Sequence, residues 1–96
     1  MSNRKKRKAT RKRTKKQDPA VYQYYLHDLG YLLLENAREA KKERDATAEK
    51  EDRDYNSGRL MAYNEVISLM QNQARVFGIP LKSVGVAGID PDNELV

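Results

Sequence analysis

The sequence predicts an all-α protein: an antiparallel helical hairpin that dimerises into a four-helix bundle and carries a disordered basic N-terminal arm. Three observations lead there. Residues 1–17, MSNRKKRKATRKRTKKQ, hold ten of the chain's nineteen Lys and Arg and none of its fourteen Asp and Glu. Two later blocks repeat apolar residues every three or four positions, the period of a helix with a buried side. No run of useful length alternates apolar and polar residues, so no strand is expected.

The arm comes first. Its charges repel one another and it has almost nothing apolar to bury, so it cannot collapse into a core. The rest of the chain keeps nine basic residues against fourteen acidic ones, and the formal net charge of +5 therefore joins an arm of +10 to a body of −5. With 96 residues in all, one domain is expected, and the body of about eighty residues is near the size at which a single core becomes marginal.

The hairpin is expected over 18–79, with a helix from about 19 to 46, a turn at about 46–51 and a second helix from about 52 to 77. Asp18 can cap the first helix, and Pro19 suits its first position because the missing N–H would have no partner there. Apolar positions then recur at Tyr22, Tyr25/Leu26, Leu29, Leu32/Leu33, Ala37 and Ala40. Gly30 interrupts this run and weakens it by about 1 kcal/mol relative to Ala. In the second helix the pattern is Tyr55, Ala62/Tyr63, Val66/Ile67, Leu69/Met70, Ala74 and Val76/Phe77. Gly78 can adopt the left-handed conformation of a C-terminal cap, Ile79 can fold back on the last turn, and Pro80 stops continuation. Residues 80–96, broken by Gly85, Gly88 and Pro91, read as an irregular tail able to pack Leu81, Val84 and Ile89 onto the helices.

The connection KKERDATAEKEDRD at 41–54 is charged on every side. It suits a solvated turn or a continuous rod, while Asn56-Ser57-Gly58 offers a different turn signal. A turn near residue 48 makes two legs of nearly equal length, so each apolar residue finds a partner, and it is preferred for that reason. That register sets Leu33 against Tyr63/Asn64, Leu29 against the Leu69 region, Ala40 near Gly58, and Glu39 within ion-pair reach of Arg59. Each helix is apolar on more than one side, which calls for two neighbours per helix. The C-terminal tail supplies one. A second copy supplies the other, through Leu32, Leu33, Tyr63, Val66, Ile67 and Met70.

The search for chemistry yields little. His27 is the sole histidine, and its neighbour Asp28 points about 100° away on a helix, so the two do not form a catalytic pair. Glu35, Glu39, Asp54 and Glu65 lack the Glu-x-x-His spacing of carboxylate metal centres in bundles, since Arg38 and Ser68 occupy the required positions. Asn36 and Asn64 lie in the apolar stripes and Gln73 borders one, where amides can fix register or oligomeric state. Tyr22, Tyr24, Tyr25 and Tyr31 can stack on bases, but on a helix boundary they more simply bury a ring and leave the hydroxyl in water. No phosphate-binding glycine loop and no Ser/His/Asp set occur. The chain is therefore expected to be a non-enzyme without catalytic residues, metal or cofactor. Cysteine is absent, which excludes disulfides and fits a reducing compartment. No apolar run is long enough to span a bilayer and no signal-peptide pattern follows the basic start, so an intracellular, cytoplasmic protein without membrane insertion is expected.

The functional expectation rests on Arg4, Lys5, Lys6, Arg7, Lys8, Arg11, Lys12, Arg13, Lys15 and Lys16. Such an arm is expected to contact nucleic-acid phosphates, with the hairpin serving for dimerisation. Other targets fit the same charges: nuclear import in a eukaryote, acidic lipid headgroups, or solvent alone. An alternative of a different class is an interaction or assembly module whose protein partner covers the apolar helix surface.

Overall fold

The computed structural model describes residues 18–96; the arm expected at 1–17 lies outside the described residues. Helix α1 spans Ala20–Ala46 and helix α2 spans Lys50–Val76. They are joined over Thr47–Glu49 and pack against each other as a hairpin. At 1.5 Å per residue, the 27 residues of each leg make a rod of about 40 Å. Among the described residues there is no strand.

Local chemistry explains the ends. Asp18 Oδ1 accepts from the Ala20 N–H at 2.9 Å and satisfies one of the unpartnered donors of the first turn. At the reversal, the Thr47 hydroxyl donates to the Glu43 carbonyl at 2.6 Å. Glu51 and Asp52 lie in the first turn of α2 and complement its dipole. The C-terminus of α2 closes in a Schellman motif: Ile79 N–H reaches the Ala74 carbonyl at 2.7 Å and Gly78 N–H the Arg75 carbonyl at 3.1 Å. That geometry needs the left-handed backbone of Gly78, at φ 69°.

The tail expected to be irregular is a third layer of the core. After Pro80 it forms a 3₁₀ turn at Leu81–Val84, passes Gly85 and Gly88, and ends in a one-turn helix α3, Pro91–Glu94. It runs from the open end of the hairpin back toward the turn end along one side of the α1–α2 seam. Val84, Val86, Ile89 and Leu95 are four of the ten buried apolar residues; the helices supply Leu34, Ala37, Ala40, Leu60, Ile67 and Ala74. Val86 and Leu95 are among the largest side chains with essentially no exposure, each contributing about 1.5–3 kcal/mol by burial. Only Val84 and Ile89 of these four figured in the sequence expectation.

Two devices hold this layer. The first is a pair of glycines. A Cβ on Gly30 would collide with the Val84 carbonyl, and one on Gly85 with the His27 carbonyl and the Tyr31 amide nitrogen. Backbone therefore lies directly on backbone where the tail crosses α1, and Gly85 also needs its φ of 76°. The second is a pair of carboxamides seven residues apart on α2. Gln71 Nε2 donates to the carbonyls of Val86 and Ile89, each at 3.0 Å. Asn64 Nδ2 donates to those of Pro91 at 2.7 Å and Leu95 at 3.1 Å.

The turn at 47–49 is centred on residue 48, as expected, but Arg59 reaches Glu43 rather than Glu39, and also donates to the Asn56 Oδ1 at 3.1 Å. Gly58 does not meet Ala40. It faces outward with open space around it, while Asn56 and Leu60 turn inward. The close approach of small residues occurs instead between α1 and the tail.

Two measurements check this account. Gly58→Ala should stabilise the protein by about 1 kcal/mol, the ordinary gain for a helical glycine. Gly30→Ala should have the opposite sign, costing about 1–3 kcal/mol as its methyl pushes the tail away. Denaturant unfolding of the pair decides it, and equal effects would remove the glycine contact from the argument. Gln71→Leu keeps the volume but strands two carbonyls, and should lower unfolding free energy by about 1–3 kcal/mol in the same assay.

Candidate functional site

The surface is divided by charge along the hairpin. Between Asp18 and Asn36 the only residues of α1 that can carry charge are His27, Asp28, Glu35 and the tyrosines, and from Leu60 to Phe77 the charged residues of α2 are Glu65 and Arg75. The turn end is crowded with charge, including the Lys50–Asp54 pair at 2.9 Å, the Arg44–Asp45 pair at 3.0 Å and the Glu43–Arg59 pair. The open end, where residue 18 follows the basic arm, is thus the apolar end.

Much of that apolar surface is uncovered. Tyr22, Tyr24, Tyr25, Leu26, Leu29, Tyr31 and Leu32 on α1 are exposed, as are Val66, Leu69, Val76 and Phe77 near the other leg's end. An open apolar cleft of about 200 Å³ lies between the legs there, lined by Leu26, Met70, Phe77 and Ile79 among others. A second, more polar cleft is bounded by Gln23, Tyr24, His27, Lys82 and Ser83.

The residues expected to face a second chain divide into three groups. Leu32 and Val66 are exposed; Leu33, Tyr63 and Met70 are half-buried beside the seam. Ile67 is corrected: it is completely buried against this chain's own core and has no surface to offer a partner. The ten basic positions from Arg4 to Lys16 lie outside the described residues.

The amides behave differently from expectation. Asn36 is exposed, Asn64 pins the tail, and the most deeply buried amide is Gln71, at 5% exposure, which the sequence reading passed over. Its signal was present: Gln71 is seven residues after Asn64 and four after Ile67, on the same side of α2.

Little of the described surface resembles a reaction centre. His27 Nδ1 stands 3.6 Å from Asp28 Oδ1, with both side chains more than half exposed to solvent. Among the described residues no group of three His, Cys, Asp or Glu could hold a metal ion, and no helix is long and apolar enough to cross a membrane. The Glu35 carboxylate one turn on, first as a hydrogen-bond acceptor and then through its charge, holds the Tyr31 phenol above its ordinary value. A hydrogen bond to Glu43 likewise raises Arg59.

Comparison with known families finds no family model that matches this chain, and neither curated proteins nor solved structures include a similar one. The functional argument therefore rests on the residues themselves.

The Tyr31–Glu35 contact gives a direct check on the outer surface of α1. Glu35→Gln can still accept the hydrogen bond but removes the negative charge. Alkaline ultraviolet titration should then show one tyrosine ionising at lower pH than in the parent protein. An unchanged titration curve would mean the two side chains do not meet in solution.

Proposed function

We propose that this protein is a small, non-enzymatic nucleic-acid-binding accessory protein. Its basic arm contacts phosphates and its helical hairpin pairs with a second copy, bundling the helices in coiled-coil fashion. The observation that carries the reading is the density of the arm: ten positive charges and no negative one in seventeen residues. Phosphate polyanions attract such a segment by releasing condensed counterions, and this needs no sequence-specific contact. The body carries excess negative charge and repels the same ligand, which directs contact to the arm. Such a protein acts where nucleic acid is found, in the cytoplasm or, in a eukaryotic host, the nucleus.

A second reading is favoured by the exposed apolar surface at the open end: an assembly module whose partner is a different protein, with the arm only a solubilising extension. Binding and size measurements separate the two.

Affinity for a mixed-sequence duplex should show no sequence preference and fall steeply with salt. With five to seven phosphates engaged per arm, the logarithm of the association constant should fall by about 5–6 for each tenfold rise in salt. Fluorescence anisotropy titrations at several salt concentrations measure this. Removing residues 1–17 should abolish binding while the circular dichroism of the helices stays intact. Binding that ignores salt, or that survives the truncation, would move recognition to the helices.

A further inference from the structure

The hairpin has two broad sides flanking the α1–α2 seam, and the C-terminal segment covers only one. It lies over the side that presents His27, Gly30 and Tyr31 on α1 and Asn64 and Gln71 on α2. On the opposite side, helical spacing aligns Tyr22, Tyr25, Leu29 and Leu32 on α1 with Val66 on α2, Phe77 at its C-terminal end and, at the outer edge, Leu69. All seven are exposed. We propose that this uncovered side is where a second copy of the chain docks, face to face, to close an antiparallel four-helix bundle. The inference rests on the dimeric part of the function proposed above and names the surface involved.

Three features identify the occupant. The first is area. Tyr25 is 63% exposed, Leu69 62% and Phe77 71%, and the other four range from 37% to 55%. With side chains of this size, the seven leave about 800 Å² open, which is what one partner contributes to a standard stable interface. Exposed large apolar residues gathered on one side of a soluble chain mark an interaction surface.

The second feature is charge. By helical spacing Asp28 stands one turn from Leu32 and Glu65 one turn from Leu69, at the outer edges of the face, while Arg75 lies one turn from Gln71 on the covered side. Pairing the central part of the face with itself therefore strands no charge. The chain's segment outside the described residues, 1–17, has ten cationic residues and is chemically unsuited to cover it.

The third is shape. The two legs are antiparallel and of equal length, 27 residues each, and the face's exposed apolar residues on both lie toward the open end. That suits the isologous contact of a two-fold dimer, with coiled-coil-like packing of four helices. The C-terminal segments then lie on the two outer sides of the bundle. Each dimer carries two basic arms, and binding through one raises the effective concentration of the other at the same polyanion.

The test uses the full chain without nucleic acid, so its outcome does not depend on whether the arm binds anything. Light scattering should give twice the mass of one chain, and the melting temperature should rise with protein concentration. Val66→Glu places a charge in the proposed interface at a position already exposed in the single chain. It should halve the mass and remove the concentration dependence, with helical circular dichroism retained. Met61→Glu, an exposed apolar position on the outer side of α2, should remain dimeric. A parent chain that stays monomeric at about 100 μM, well above the Kd range of standard-sized interfaces, overturns the proposal. So does a Val66→Glu variant that remains dimeric, or a parent chain forming species larger than a dimer. If the mass result holds but the duplex is not bound, the interface stands and the role assigned to the arm falls.

Discussion

The arrangement depends on two carboxamides. An irregular segment packed against apolar helices has carbonyls that must find donors, and a helix interior offers none because its own N–H groups are already used. Asn64 and Gln71 project donors into that gap, and each serves two carbonyls of the C-terminal segment. They hold the segment close enough for Val86, Ile89 and Leu95 to be buried. Without them, the unpaired carbonyls would offset part of what those side chains contribute.

The glycine pair acts with the carboxamides. Gly30 and Gly85 allow backbone contact where the tail crosses α1, and this sets the distance at which the later residues meet α2. A helical glycine ordinarily weakens its helix. Here that local loss is offset by docking of a segment that supplies four of the ten buried apolar residues. The two legs alone are thin: Ala37, Ala40 and Ala74 make much of their seam, and small residues bury little area. The third layer turns a two-helix seam into a core.

Covering one side of the hairpin defines the other. Because the tail occupies the side bearing Asn64 and Gln71, the tyrosine- and leucine-rich side remains apolar, free of Lys, Arg, Asp and Glu over its central part, and adjacent to the start of the basic arm. Charge is concentrated at the turn end, where opposite signs pair as Glu43–Arg59 and Lys50–Asp54. This separation leaves the apolar face uncovered by the chain's own C-terminal segment.

The helices, their antiparallel packing and the cap at Gly78 were legible in the sequence because each follows from local physics. Apolar spacing of three and four favours a helix, and Gly-Ile-Pro after an apolar run favours the Schellman stop. The composition of the arm was equally plain. Other features were not local. The ion pair of Arg59 went to Glu43 rather than Glu39 because the two carboxylates stand one turn apart on the same face and a long guanidinium side chain can reach either. Ile67 and Val66 are neighbours in one apolar stripe; which of them enters the core and which faces outward depends on where the tail lies. Gln71 looked like a polar break in that stripe, and only the carbonyls of Val86 and Ile89 beside it make it a structural anchor. The sequence by itself determined the helical elements, their ends and the charge of the arm, since those depend on residues a few positions apart. The tertiary structure alone decided which side of the hairpin is filled and which is left open, since that choice depends on contacts between residues far apart in the chain.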